Sequence, residues 1–176
     1  MSASLPLWLR LFDGLLVRAA LVSGGLLLTF MVVLGTVNVL VMRKLLAAPI
    51  KGAEDLLILS LVLLVAVSIP FGGRTGAHIE IEVLEARMSP AFAKWSFLAL
   101  RLVAGALMLL MARELLHAGD KAVKFGETTQ QLLISYQPFY YILALCTALY
   151  ALILLSDIWQ LVATGRVRQI ELGAAL

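Results

Sequence analysis

Cysteine is almost missing from this 176-residue chain: Cys146 stands alone, so no intrachain disulfide can form. It lies inside an apolar run, where a packed thiol is the ordinary reading. Histidine is nearly as rare, with His78 and His117 only. Charge is scarce as well. Asp, Glu, Lys and Arg make up 14% of the residues, against about 25% in an ordinary soluble domain. No residue cluster has metal-ligand spacing, no Gly-rich segment follows a Walker pattern, and no serine sits in a nucleophile elbow. An enzyme is therefore not expected, and no cofactor is called for. The 14 basic and 11 acidic residues leave a net charge of +3, but the basic ones are scattered. Without a basic stripe, nucleic acid is not an expected partner. Internal repeats, low-complexity tracts and a soluble domain are also absent.

What is abundant is apolar surface: 62% of residues are hydrophobic and the mean hydropathy is +1.00. No soluble globule of this size has enough interior to hide so much. The excess must face lipid, and the fold class expected is an all-α integral membrane protein.

Four spans can be traced, at roughly 17–43, 54–73, 90–116 and 137–163, within one membrane domain over residues 1–176. Between Arg18 and Arg43 lie 24 residues without a charge, far longer than the apolar core of a signal peptide. The uncharged run Leu56 to Gly73 has 18 residues. Its Pro70-Phe71-Gly72-Gly73 ending predicts an unwound last turn. The third span carries Arg101, only about 18 Å along a helix from Arg113. Two arrangements fit it: a side chain that snorkels to a lipid headgroup, or one that is paired. Asp157, near the end of the fourth span, matches Arg101 in depth, so the two are expected to face each other or to share a headgroup. Pro138 suits the first turn of the fourth helix. Tyr140 and Tyr141 lie about 27 Å from Trp159, the spacing of two aromatic belts.

Ahead of the first span, Leu5, Trp8, Leu9, Phe12 and Leu16 recur at helical spacing. They read as a short N-terminal helix lying in the interface plane, with an extension of the first span as the alternative. Four crossings place both termini on one side with Arg10, Arg18, Arg74, Arg87, Lys94, Arg101, Arg166 and Arg168. The opposite side holds Arg43, Lys44, Lys51, Arg113, Lys121 and Lys124. The positive-inside rule then favours cytoplasmic termini.

Each ionisable group near a span needs a reason. Glu54 and Asp55 open the second helix, where the macrodipole favours carboxylates, and the helical hairpin brings Arg43 towards Glu54. His78 and His117 fall on opposite sides of the membrane, so they cannot share a haem. No acid lies at mid-span, and no paired broken helices build a midplane site. Ala20/Gly24 and Ala144/Ala148 offer small faces for close helix packing. Between the second and third spans, FGGRTGAHIEIEVLEARMSP has two apolar edges separated by Glu80, Glu82 and Glu85. A short helical segment pressed against the membrane surface is expected there, with a solvated loop as the alternative.

The order of these features resembles the DctQ-type small membrane subunit of TRAP transporters, the tripartite ATP-independent periplasmic uptake systems. The first span ends in NVLVMRKLL with Arg43, and the second opens in KGAEDLLIL with Glu54 and Asp55. GGRTGAHIEIEVL follows with Arg74, His78 and Glu82, and ETTQQLLISYQPFYYILAL leads into an aromatic fourth helix. Two features depart from that pattern: AAPIKGAED lacks the tryptophan often found before the acid, and Glu82 stands where aspartate is commoner.

The resemblance implies a bacterial inner-membrane subunit that braces a large, sodium-coupled transport subunit. A periplasmic binding protein would deliver the solute, typically an organic acid, and phospholipid would fill the subunit interface. Arg43, Glu54, Asp55, Arg74, His78, Glu82, Arg101 and Asp157 are then candidates for structural ties or partner contacts. Two other functions fit the composition: a stand-alone four-helix exporter, and a membrane anchor for a redox or signalling complex.

Overall fold

The computed structural model describes residues 7–74 and 90–164. They form four long helices: α1 (Leu7–Thr36), α2 (Ala53–Arg74), α3 (Pro90–Lys124) and α4 (Gln137–Thr164). A nine-residue π-helical segment, Val37–Leu45, continues α1. All four are long and apolar enough to cross a bilayer, over Gly14–Leu45, Ala53–Gly73, Trp95–Lys124 and Gln137–Val162. The chain is thus an all-helical, multi-pass membrane protein with no strands among the described residues.

The helices are laid out as an open row. α1 packs on α2, α2 on α4, and α4 on α3, whereas the edge helices α1 and α3 share no extensive interface. Residue choice explains the order. Flanked by Ala104 and Ala118, the covered positions on α3 include Arg101, Gly105, Met108, Ala112, Leu115, Gly119 and Ala122. They are spaced alternately by four and three, the single seam of a helix with one neighbour. α1 shows the same seam over Ala20, Gly24, Leu27, Met31, Leu34 and Asn38. On α2, only a stripe comprising Glu54, Ile58, Leu61, Val65 and Ser68 stays exposed, as befits an inner helix with neighbours on two sides.

Small side chains let these backbones approach. Ala66, Ala112, Ala122, Ala144 and Ala151 are buried, and a Cβ added at Gly24 would sit 3.7 Å from Leu64. The deepest apolar cluster centres on Tyr150, Ile153 and Leu154 of α4, with Leu16, Ile69, Ala104 and Met108 around it. All four helices meet there.

Three expectations change. The unwinding expected after Pro70 does not occur: α2 remains helical to Arg74. Membrane helices tolerate such a proline when neighbouring packing compensates for the lost hydrogen bond, and here Pro70 is buried, as is Ala66 one turn earlier. α3 runs past residue 116 to Lys124, because no breaker intervenes before Gly126. There the amide of Gly126 donates to the Val123 carbonyl and that of Glu127 to Ala122, with Gly126 at φ 66°. Those bonds make a Schellman stop, which requires the left-handed conformation that glycine adopts freely. Finally, no separate interfacial helix is seen among the described residues; from Leu7 onwards the chain is one continuous helix, the extension arrangement. The second short helix, expected between spans 2 and 3, lies outside the described residues.

Candidate functional site

Among the described residues, the ion pairs and the polar ties between helices gather towards the two ends of the helices. At one end lie the α1–α2 turn and the α3–α4 connection. The connection folds into a tight strap: Thr128 and Ser135 form an isolated antiparallel bridge, and the Thr129 amide donates to the Ile134 carbonyl at 2.9 Å. The Ile134 amide returns a hydrogen bond to Thr129 Oγ1 at 3.1 Å.

The strap is tied to α2 by Asp55. Its Oδ2 accepts from the amides of Gln131 and Leu132, each at 2.8 Å. Gln131 reciprocates, because its Oε1 accepts from the Gly52 amide at 2.6 Å. Gly52 is at φ 78°, and a Cβ there would overlap the Leu132 side chain. Glycine is therefore required twice over, for its backbone angle and for the close approach. Asn38, buried at the start of the π segment, completes the platform by accepting from the Ile50 amide at 2.9 Å. Every donor in this set is a backbone amide in a turn, which would otherwise be left unsatisfied at the membrane boundary.

Adjacent carboxylates at this end do different work. Glu54 forms the expected ion pair with Arg43, at 3.2 Å, with side chains 64% and 57% exposed. Asp55 is the next residue and therefore points about 100° around the helix, towards the strap amides and away from Arg43. The sequence grouped the two; their positions on α2 separate them.

Beside the strap, the last turns of α3 are braced against α4. Tyr141 donates to Asp120 Oδ1 at 2.6 Å and accepts from Gln137 Nε2 at 3.0 Å. A Cβ at Gly119 would come within 2.6 Å of the Tyr141 ring, so that glycine makes room for the tyrosine.

Near the opposite end, Arg101 of α3 forms an ion pair with Asp157 of α4, the side chains only 11% and 4% exposed. The guanidinium also lies 4.3 Å from the centroid of the Phe97 ring, four residues earlier on the same face. Of the arrangements open to Arg101, the structure adopts the paired one. Above this pair, a Cβ at Gly73 would overlap the Tyr150 ring, so the end of α2 rests directly on α4.

The remaining candidates are placed more simply. Arg74 is the last residue of α2, while His78 and Glu82 lie outside the described residues. Sequence reasoning missed Asn38, Gly52, Thr129, Gln131, Phe97 and Tyr150. A glycine immediately before an acidic helix start, in KGAED, is the one signal that could have flagged the first group. Among the described residues no group of three or more His, Cys, Asp and Glu side chains converges as a metal site would.

Residues 31–164, more than half of the chain, match the family model described as "Tripartite ATP-independent periplasmic transporters, DctQ component". No curated protein matches the chain.

Proposed function

The chain belongs to the DctQ family, the small membrane component of tripartite ATP-independent periplasmic transporters, and we propose that it serves there as the scaffold of the large transport subunit. DctQ is a transporter component and not an enzyme family, and it works with the large DctM subunit and a periplasmic binding protein.

The observation that carries the scaffold reading is the open row. A closed bundle would bury its seams around a central axis, where a solute site could form. Here each helix keeps a lengthwise apolar stripe outward, such as Ile58, Leu61 and Val65 on α2 or Leu145, Leu152 and Trp159 on α4. The described charges stand towards the helix ends. Such a slab has surface to lend to a neighbour, and its described residues enclose no polar chamber.

On this reading the solute and coupling sites belong to the large subunit, transport is sodium-coupled, and the solute is an organic acid. The assembly sits in the bacterial inner membrane with this chain's termini in the cytoplasm, and phospholipid fills gaps at the subunit interface. Arg43 and Glu54 are exposed polar contacts for partners on the far side, with Arg74, His78 and Glu82 serving on the side of the termini. Arg101 and Asp157 hold the slab rigid from within.

Affinity purification in mild detergent followed by native mass spectrometry tests this. One copy of the chain bound to one larger hydrophobic subunit is the expected result. A homodimer would support the stand-alone exporter, and a bound cofactor or soluble protein alone would support the anchor.

A further inference from the structure

The strap tip carries a strained and exposed leucine. Leu133 is held at φ 54°, a left-handed conformation that branched side chains rarely adopt. Its side chain is nevertheless 71% exposed. Leu132 beside it is also exposed, at 39%. Strain of this kind persists where surrounding structure imposes it for a purpose, and here the Asp55 carboxylate and the Gln131 side chain impose it. Those hydrogen bonds hold the backbone angle, but the leucine side chain itself finds no cover among the described residues.

Depth identifies what covers it. Directly after Asp55 comes the uncharged run Leu56 to Gly73, 18 residues or about 27 Å of helix. A hydrocarbon core of about 30 Å leaves none of that run to spare. Directly before Asp55, Glu54 pairs with Arg43, two exposed charges that lipid would not tolerate and that therefore belong on the water side. The boundary between headgroups and acyl chains therefore passes Asp55. The Gln131 and Leu132 amides are bonded to Asp55 itself, so the strap tip lies at the same depth. A soluble partner would need Leu133 raised clear of the bilayer, and the Asp55 tie prevents that.

We propose that Leu133, supported by Leu132, is a membrane-interface anchor that seats the strap among the headgroup-proximal acyl chains of the leaflet on that side. Lys44, at the end of the π-helical segment, and Lys51, on the turn that follows, are exposed and suited to the anionic headgroups around it. The strap would then fix the height of the α2 and α4 starts relative to the bilayer, as interfacial aromatic anchors do elsewhere.

Nitroxide depth measurement tests the anchor directly. A spin label is placed by Leu133→Cys in a Cys146→Ala background of the full chain, in nanodiscs of phosphatidylcholine and phosphatidylglycerol. Reference labels at Glu54→Cys and Ile58→Cys bracket the boundary. The Leu133 label should collide with oxygen more than with a water-soluble nickel chelate, at a depth between the two references. Nickel accessibility equal to that of the Glu54 label would overturn the proposal, as would shielding from both reagents, which would mean that protein covers the site. A second variant, Leu133→Asn, suits the backbone angle but removes the apolar side chain. In nanodiscs it should speed hydrogen exchange at the Gln131 and Leu132 amides several-fold. Slower or unchanged exchange would show that the leucine has no anchoring role.

Discussion

Removing Arg101 and removing Asp157 should not cost the same, although they are two halves of one ion pair. Breaking a buried pair typically destabilises by about 3–5 kcal/mol, and a lone charge costs about 2.5–3.5 kcal/mol at the centre of a membrane helix and less towards its ends, where this pair lies. The two residues differ in how they can escape that cost. Arg101 has a long stem, lies seven residues from Lys94, and stacks 4.3 Å from the Phe97 ring, an interaction of about 0.5–2 kcal/mol. Asp157→Leu therefore leaves an arginine able to reach towards the headgroups, and should cost about 1–2 kcal/mol. Asp157 is 4% exposed on a short stem, so Arg101→Met should cost about 3 kcal/mol. The gap between the single variants is thus about 1.4 kcal/mol, tenfold in an unfolding constant. The double variant R101M/D157L replaces the pair with apolar side chains and should return to within about 1 kcal/mol of wild type. Equilibrium unfolding in mixed SDS micelles, followed by tryptophan fluorescence, measures all four. Equal costs for the single variants, or a double variant costing their sum, would refute the reasoning, since additive losses mean no coupling.

Three further outcomes follow from the geometry. Asp55→Ala should release the strap, seen as faster hydrogen exchange at Gln131 and Leu132 and protease nicking between residues 127 and 136; Asp55→Asn, which keeps an acceptor oxygen, should fall between it and wild type. Gly73→Ala should force α2 away from the Tyr150 ring and cost about 1–3 kcal/mol in the same unfolding assay, with Tyr150→Leu recovering part of the loss. Arg43→Ala should change stability by less than about 1 kcal/mol, because its pair with Glu54 is exposed and screened by salt; a larger loss in the isolated chain would mean that Arg43 has a buried role.

The parts of this fold that were legible are those written locally. Uninterrupted runs such as Leu56 to Gly73 announce spans because a charge in lipid is expensive, whatever the neighbours. Arg43–Glu54 and Arg101–Asp157 were reachable because a hairpin fixes which depths coincide. The order of the helices in the row was not written in any one run: it depends on which stripes are small enough to meet, and each apolar stripe looks alike until its partner is known. The strap was hidden for a sharper reason. Its defining bonds join Asp55 to residues 76 and 77 positions away, and their donors are backbone amides, which carry no residue-type signal. Pro70 misled because its cost in isolation is real, yet close packing around it keeps α2 helical. Leu133 is likewise invisible in sequence, since its left-handed backbone is imposed from outside and no glycine or asparagine marks it.

The claim that this chain lends structure and conducts nothing is tested most directly by uptake into proteoliposomes. Vesicles would hold the chain alone, the large subunit alone, or both, with binding protein outside, an inward sodium gradient and a panel of labelled organic acids. Sodium-dependent accumulation should occur with both subunits and be absent from vesicles holding only this chain. Accumulation by this chain alone would contradict the account.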